Sequence, residues 1–146
     1  MAKYTSTESR VQNLEYASSW EQLNENERNY AYYMSKASWA GALITVHQCS
    51  YEGPALFMLF QAYFADKNFE ELHDLAMSSV QGLTDEDWKR FIAYVAGFYG
   101  NLANYYNFGH MKFIPELDAD KFWGILHSHP KASEEGSEIQ WALAKL

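Results

Sequence analysis

The strongest constraint on how this chain can fold is a run of apolar residues at helical spacing between Thr84 and Pro115. The apolar side chains recur three and four positions apart, at Trp88, Phe91, Val95, Phe98, Leu102 and Tyr105. This pattern predicts an amphipathic helix whose apolar stripe faces a core. Thr84 and Asp87 resemble a capping box and predict the start of the helix, whereas Gly109 predicts a left-handed stop after it. A helix from Thr84 to Asn107 would be roughly 34 Å long at 1.5 Å per residue.

Helical patterns on both sides of this stretch predict an all-α fold, an irregular assembly of about six helices. The other predicted helices are a short one capped by Ser18 or Ser19, one over about 25–48 that follows a capping signal at Asn24 and Glu27, one from Pro54 to about Ala65, one capped by Asn68, one capped by Asp118, and a final segment from Ile139. Residues 1–17 are polar and without period, and we expect an arm there. Residues 18–146 are expected to form one helical unit, an incomplete part of a larger lobe.

Two stripes of small residues suggest how two of these helices meet. One stripe lies on the 25–48 helix and the other on the 84–107 helix, at Ala31, Ser35, Ser38 and Ala42, and at Ala93, Gly97, Gly100 and Asn104. Because glycine costs a helix about 0.5–1 kcal/mol relative to alanine, close approach of the two backbones is one reason to keep it there. The stripes therefore predict a close helix pair. The alternative, that the glycines only add flexibility, stays open at this point.

Charge and cysteine content exclude several classes of partner. The 146 residues carry a net charge of −8, which argues against a nucleic-acid or anionic-membrane surface, since both need clustered Lys and Arg. No run of 18 apolar residues is present, so no membrane partner is expected. A single cysteine, Cys49, excludes an internal disulfide, and the first residues lack the apolar core of a secretory signal. A reducing cytoplasm is the expected location.

Several short runs identify a family. The relevant segments are 101–109 (Asn-Leu-Ala-Asn-Tyr-Tyr-Asn-Phe-Gly), 112–115 (Lys-Phe-Ile-Pro), 27–32 (Glu-Arg-x-Tyr-Ala-Tyr), Ser38-Trp39, and 82–86 (Gly-Leu-Thr-Asp-Glu). In this order and spacing they resemble the N-terminal portion of dipeptidyl peptidase III, a family of two-lobed zinc exopeptidases. The resemblance covers most of the chain and is weakest before about Ser18 and after about Leu117.

The resemblance implies a cytosolic hydrolase that releases dipeptides from the N-termini of short peptides, with zinc as the cofactor of the full-length enzyme. Its implied partners are short peptides and the missing remainder of the chain. The family's complete chain is several times longer, and its N-terminal lobe also contains a β-barrel that this sequence does not suggest. We therefore expect a truncated chain, a fragment that supplies helical scaffold.

The zinc chemistry itself is not expected within these residues. The family's His-Glu-x-x-x-His motif is absent, and so is the partner helix that supplies the third ligand. Glu134, Glu135 and Glu138 lack the required spacing and are expected to be solvated. On a helix the side chains of His127 and His129 would point in different directions. The helix dipole stabilises a cationic His near the C-terminus, so a two-His metal site is the weaker interpretation. No nucleophile elbow, Walker loop or dinucleotide motif occurs, so the chain alone is expected to be inactive.

The candidate substrate-binding residues are Asn104, Tyr105 and Phe108. Aromatic rings and amides at a helix end suit an extended peptide, because rings bury apolar side chains while amides pair with the peptide backbone. On pattern alone an equally open alternative is that Tyr105 and Phe108 are core residues and the asparagines are caps. In the family, the matching Phe looks into the cleft between two lobes, and the resemblance maps that role onto Phe108.

Three hypotheses for the function follow. The first is an N-terminal piece of a zinc dipeptidyl peptidase that contributes scaffold and part of a cleft wall. The second is a stand-alone α-helical protein-interaction module without catalysis, which has kept the family's first helices. The third is a small-ligand binder that uses the cluster of aromatic and amide residues at 104–109.

Overall fold

A computed structural model describes residues 3–8, 12–106 and 111–146, and the prediction of a mostly α-helical fold is confirmed within them. A short 3-10 turn at Pro130–Ala132 joins the last two helices. The elements in chain order are β1 Lys3–Tyr4, α1 Ala17–Glu21, α2 Glu25–Cys49, α3 Gly53–Tyr63, α4 Phe69–Ser79, α5 Asp85–Asn101, β2 Phe113–Ile114, α6 Ala119–His127 and α7 Glu138–Leu143.

Short polar side chains begin five of the helices, four of them as the sequence predicts, whereas the cap of α7 by Ser137 was not predicted. Asn24, Asn68, Thr84 and Asp118 cap α2, α4, α5 and α6. At the start of α5 the Thr84 hydroxyl accepts the Asp87 N–H at 3.2 Å, and the Asp87 carboxylate accepts the Thr84 N–H at 3.1 Å. Each such box satisfies backbone donors that a helix leaves unpaired. Because the interaction spans only a few residues, such a helix start can be predicted from a short stretch of sequence.

The core is built around α3 and the apolar stripe of α5. Phe60 on α3 meets Phe98 and Phe91 on α5 edge to face, with ring centroids 5.4 and 6.4 Å apart. α3 also packs on α2 and α7. The largest fully buried side chains come from α2, α3, α4, α5, α6, α7, β2 and the turn after α6, and are Tyr63, Phe60, Phe91, Phe98, Phe113, Leu59, Leu72, Ile125, Leu126, Ile139, His129 and Val46.

The predicted extension of α5 to Asn107 is wrong, because the helix ends at Asn101. Leu102 takes up a left-handed conformation with φ of 56° and terminates it. The chain then folds back, so that Phe113 N–H donates to the Asn104 carbonyl at 3.0 Å. Hydrogen bonds of this kind replace those of the helix beyond Asn101, although apolar residues continue at helical spacing in the sequence. The predicted stop at Gly109 lies outside the described residues.

The predicted close approach of α2 and α5 at the glycines is also wrong. A Cβ added at Gly97 would lie 3.5 Å from the side chains of Phe113 and Thr5, not against α2. A Cβ added at Gly100 would meet no atom within 4 Å. The space beside Gly97 is filled by Phe113 of β2 and by Thr5, directly after β1, which the helical pattern does not reveal.

The first described residues pair with the segment after α5. β1 runs parallel to β2, with Lys3 N–H donating to the Lys112 carbonyl at 2.9 Å and Thr5 N–H to the Ile114 carbonyl at 3.0 Å. Part of the predicted 1–17 arm thus contacts the helical unit, and the division at residue 17 stays a prediction. α1 begins without a side-chain cap, so the predicted cap at Ser18 or Ser19 is wrong.

Candidate functional site

Asn104 lies at the centre of a polar network between the start of α3 and the turn after α5. Only 2% of the residue is exposed. Its Oδ1 accepts from the Ser50 hydroxyl at 2.9 Å, and its Nδ2 donates to Glu52 Oε1 at 2.7 Å. Because α5 ends at Asn101, the chain can turn and place this amide against the α2–α3 loop. Asn104 therefore joins two segments that lie about fifty residues apart in the sequence.

A charged pair completes the network. The ammonium of Lys112 donates to the carboxylate of Glu52. Burial opposes the negative charge of Glu52, but the hydrogen bonds from Lys112 and Asn104 outweigh it and lower the pKa of the carboxyl below its ordinary value. Burial, and secondarily the negative charge of Glu52, raises the pKa of the Tyr94 phenol. Glu52 is therefore ionised and Tyr94 neutral near pH 7.

Three members of this network, Glu52, Asn104 and Lys112, line an open cleft of about 380 Å³. The other lining residues are mostly apolar, and are Leu56, Tyr94, Ile114, Pro115, Leu117, Ala119, Phe122, Trp123 and Leu146. A concave apolar surface with a few polar groups at one end suits a ligand with an apolar body and polar backbone or head groups. The cleft can bind and orient such a ligand.

The structure brings only part of the predicted site together. Tyr105 is half-buried, and its backbone pairs antiparallel with that of Lys112, next to Asn104. Phe108, the third predicted residue, lies outside the described residues. Sequence reasoning missed Glu52 and Lys112 as site residues. Lys112 begins one of the family-like runs, which was a usable signal, whereas nothing in the local pattern singles out Glu52.

Of the two histidines considered as metal ligands, His129 has a structural role after α6. His129 is 1% exposed, and its Nδ1 accepts the Lys131 N–H at 3.2 Å, so its Nε2 carries the proton and donates to Asp66 at 3.2 Å. Burial lowers the pKa of His129 and favours its neutral form. His127 is exposed on α6, so the two rings lie in different environments.

The described residues form neither a metal-ligand group nor a membrane-spanning helix. Within residues 3–8, 12–106 and 111–146, no three His, Cys, Asp or Glu side chains form a group that could hold a metal ion. A zinc ion, as the sequence resemblance implies for the full-length family, thus does not fit the described residues. In that part of the chain no helix is both long enough and apolar enough to cross a membrane.

Comparison with known proteins finds relatives of one name. The chain is 43% identical over 121 residues to Dipeptidyl peptidase 3 of Nematostella vectensis, 34% identical over 128 residues to that of Dictyostelium discoideum, and 32% identical over 130 residues to that of Homo sapiens. These matches cover 83%, 84% and 89% of this chain but only 17%, 18% and 17% of the relatives. The chain thus spans about a sixth of the length of the curated relatives it matches. No family model matches it.

Proposed function

This chain belongs to the dipeptidyl peptidase III family, and we propose from that membership that it is the N-terminal helical part of a zinc dipeptidyl peptidase. The whole enzyme would release dipeptides from the N-termini of short peptides, and would work in the cytoplasm. The single observation that carries the proposal is the 43% identity over 121 residues to a protein of that name.

Within such an enzyme this chain supplies structure and not the metal. The described residues offer no ligand set for zinc, so we assign no chemical step to them. The zinc and the residues that activate water would belong to the part of the enzyme that this chain does not span. The role left for the chain is to hold the helical scaffold and to shape a wall of the peptide-binding cleft.

Asn104, Tyr105 and Phe108 are the proposed contacts of that wall. The support is that Asn104 lines a mostly apolar cleft, together with the charged side chains of Glu52 and Lys112. An apolar side chain of a peptide can enter the cleft, while the charged pair offers partners for the peptide's backbone groups and the buried Asn104 amide holds Glu52 in place. Phe108 joins the proposal through the family resemblance alone.

The test uses the Nematostella relative with its matching segment replaced by this chain, assayed with a dipeptidyl arylamide and added zinc. If Phe108 contacts the peptide, Phe108→Ala should lower kcat/KM by about 5–150-fold, equivalent to about 1–3 kcal/mol, with zinc content and melting temperature unchanged. Glu135→Ala, a solvated residue after α6, is the matched control and should leave kcat/KM unchanged. If Phe108→Ala instead keeps the wild-type kcat/KM but lowers the melting temperature, with a loss of about 3–5 kcal/mol in the free energy of unfolding, Phe108 is a core residue.

A simpler experiment tests the assignment of the metal site. The 146-residue chain alone should not hydrolyse the arylamide with or without zinc, because the described residues contain no group that can hold the ion. Zinc-dependent turnover that persists through repeated purification, and that disappears with a variant of this chain, would contradict the proposal.

The stand-alone interaction module is the second candidate function. The observation that favours it is the large apolar surface on α2, where the exposed residues include Trp39 and Ile44. Surfaces of this kind mark sites of association.

A further inference from the structure

α2 is a long helix whose side chains are mostly uncovered. Of its residues, Ala42 and Val46 alone are buried. Trp39 is 75% exposed and Ile44 is 62% exposed. The other exposed large hydrophobic side chains on this helix are Tyr30, Tyr32, Tyr33, Met34 and Leu43. Between residues 29 and 46 the only charged side chain is that of Lys36. A helix with so little charge is poorly suited to remain in water.

The exposed apolar residues lie on two sides of α2. At about 100° per residue, Tyr30, Tyr33 and Ile44 share one side, which we call the outer stripe. Trp39 and Leu43, together with Tyr32, share a second side, which we call the lateral stripe. The two stripes are roughly 130° apart, and the outer stripe lies opposite the buried pair Ala42 and Val46.

This arrangement decides what kind of occupant α2 suits. A second copy related by a two-fold axis buries one self-complementary patch, and so covers one stripe while leaving the other in water. A helix that is apolar around its circumference is instead typical of the interior of a larger protein. The relatives supply such an interior, because this chain matches only 17–18% of their length.

We propose that α2 is an internal docking helix, and that the remainder of a full-length chain, the part of the relatives that this chain does not span, covers its outer and lateral stripes. The proposal rests on the proposed function, since it takes its occupant from the same enzyme. In the 146-residue chain both stripes then face water, and in the full-length enzyme both are buried.

Thiol labelling tests each stripe separately. Cys49→Ser removes the natural cysteine, and Tyr33→Cys or Trp39→Cys then places one thiol on the outer or the lateral stripe. Lys89→Cys on α5 is the control, because the Lys89 side chain is 60% exposed and lies on a polar surface. The maleimide reaction rate of each variant is measured in the 146-residue chain and in the chimera with the Nematostella relative.

In the chimera, both stripe thiols should react about 100-fold or more slowly than in the 146-residue chain, because labelling then requires local opening. The control thiol should react at a similar rate in both proteins. Fast labelling of either stripe in the chimera would overturn the two-sided docking. So would a dimer of the 146-residue chain that protects both stripes at micromolar concentration, since the occupant would then be a second copy.

The same chimera separates this inference from the proposed function. If the chimera hydrolyses peptides and both stripes are labelled freely, the docking is refuted and the peptidase assignment stands. If the stripes are protected and no hydrolysis occurs, the docking stands and the peptidase assignment is refuted. Where the chimera does not fold, the remainder of the relative is added as a separate chain. Unchanged labelling in its presence would then count against the docking, and protection of both stripes would support it.

Discussion

Asp87 is where the start of α5 and the side of α6 are tied together. The carboxylate accepts the Thr84 N–H within the capping box and also accepts from Lys121 Nζ at 2.6 Å. The two charged side chains are largely covered, with 11% of Asp87 and 29% of Lys121 exposed. Asp87→Asn keeps an oxygen that can serve the cap but leaves Lys121 without its counter-charge.

We expect Asp87→Asn to destabilise the chain by about 2 kcal/mol. A hydrogen bond to a charged group contributes about 1.5–3 kcal/mol, and a largely covered ammonium that loses its partner is not fully compensated by water. For a chain of this size the melting temperature should fall by about 4–8 °C. Glu86→Gln is the matched control, because it removes the same charge one residue earlier from a side chain that is 51% exposed. It should cost about 0–1 kcal/mol.

The pH dependence of this difference gives a second measurement. Burial opposes the charge of Asp87, but the hydrogen bonds from Lys121 and Thr84 outweigh it and lower its pKa below that of an unfolded aspartate, about 3.9. A carboxyl whose pKa is lowered by folding stabilises the fold at pH values above the unfolded pKa. This stabilisation is lost as the pH falls through the folded pKa. The gap between wild type and Asp87→Asn should therefore shrink below about pH 4.

Equal melting temperatures for Asp87→Asn and Glu86→Gln at pH 7 would refute this account of the ion pair. A double-mutant cycle with Lys121→Met separates the pair from the cap. It should give a coupling of about 1 kcal/mol or more, and an additive result would assign the loss to the cap alone.

Two further substitutions test the packing, both measured by urea unfolding. Gly97→Leu should cost about 1–3 kcal/mol, because its extra carbons extend toward the buried Phe113 ring, whereas Gly100→Leu has open space and should not destabilise; equal losses would contradict the close contact at Gly97. Tyr63→Phe should cost only about 0.5–1.5 kcal/mol, since the Ile125 carbonyl that accepts the phenol at 3.2 Å keeps its bond to Ser128, and a loss above about 3 kcal/mol would show that this account is incomplete.

The starts of α2, α4 and α5 are predictable because their causes are local. Asn24, Asn68 and Thr84 each satisfy backbone donors within three residues, so the relevant interaction is contained in the sequence window. The family resemblance is local in the same sense, since it rests on short runs of residues. These caps and the family were confirmed, whereas the predicted cap of α1 was wrong.

The end of α5 is not predictable in this way. The apolar spacing continues through Leu102 and Tyr105, and from the sequence a longer helix was the reasonable expectation. The helix stops because Asn104 forms other hydrogen bonds. Its side chain bonds to Ser50 and Glu52, and its carbonyl accepts the Phe113 N–H. These partners lie far from it in the sequence or across a turn.

The candidate site divides along the same line. Asn104 and Tyr105 were found from the aromatic and amide cluster, and their contact with peptide stays a prediction, as does that of Phe108. Glu52 and Lys112 were missed, because neither residue type nor spacing shows that the α2–α3 loop and the segment after α5 will share a cleft.

By itself the sequence determined the all-α class, four helix caps and the family, since hydrogen bonds and periodicity within a few residues encode them. Only the tertiary structure decided where α5 ends, what fills the space beside Gly97, and which charges border the cleft. Those features depend on which distant segments meet, and packing selects those segments through the whole fold rather than through any one stretch of it.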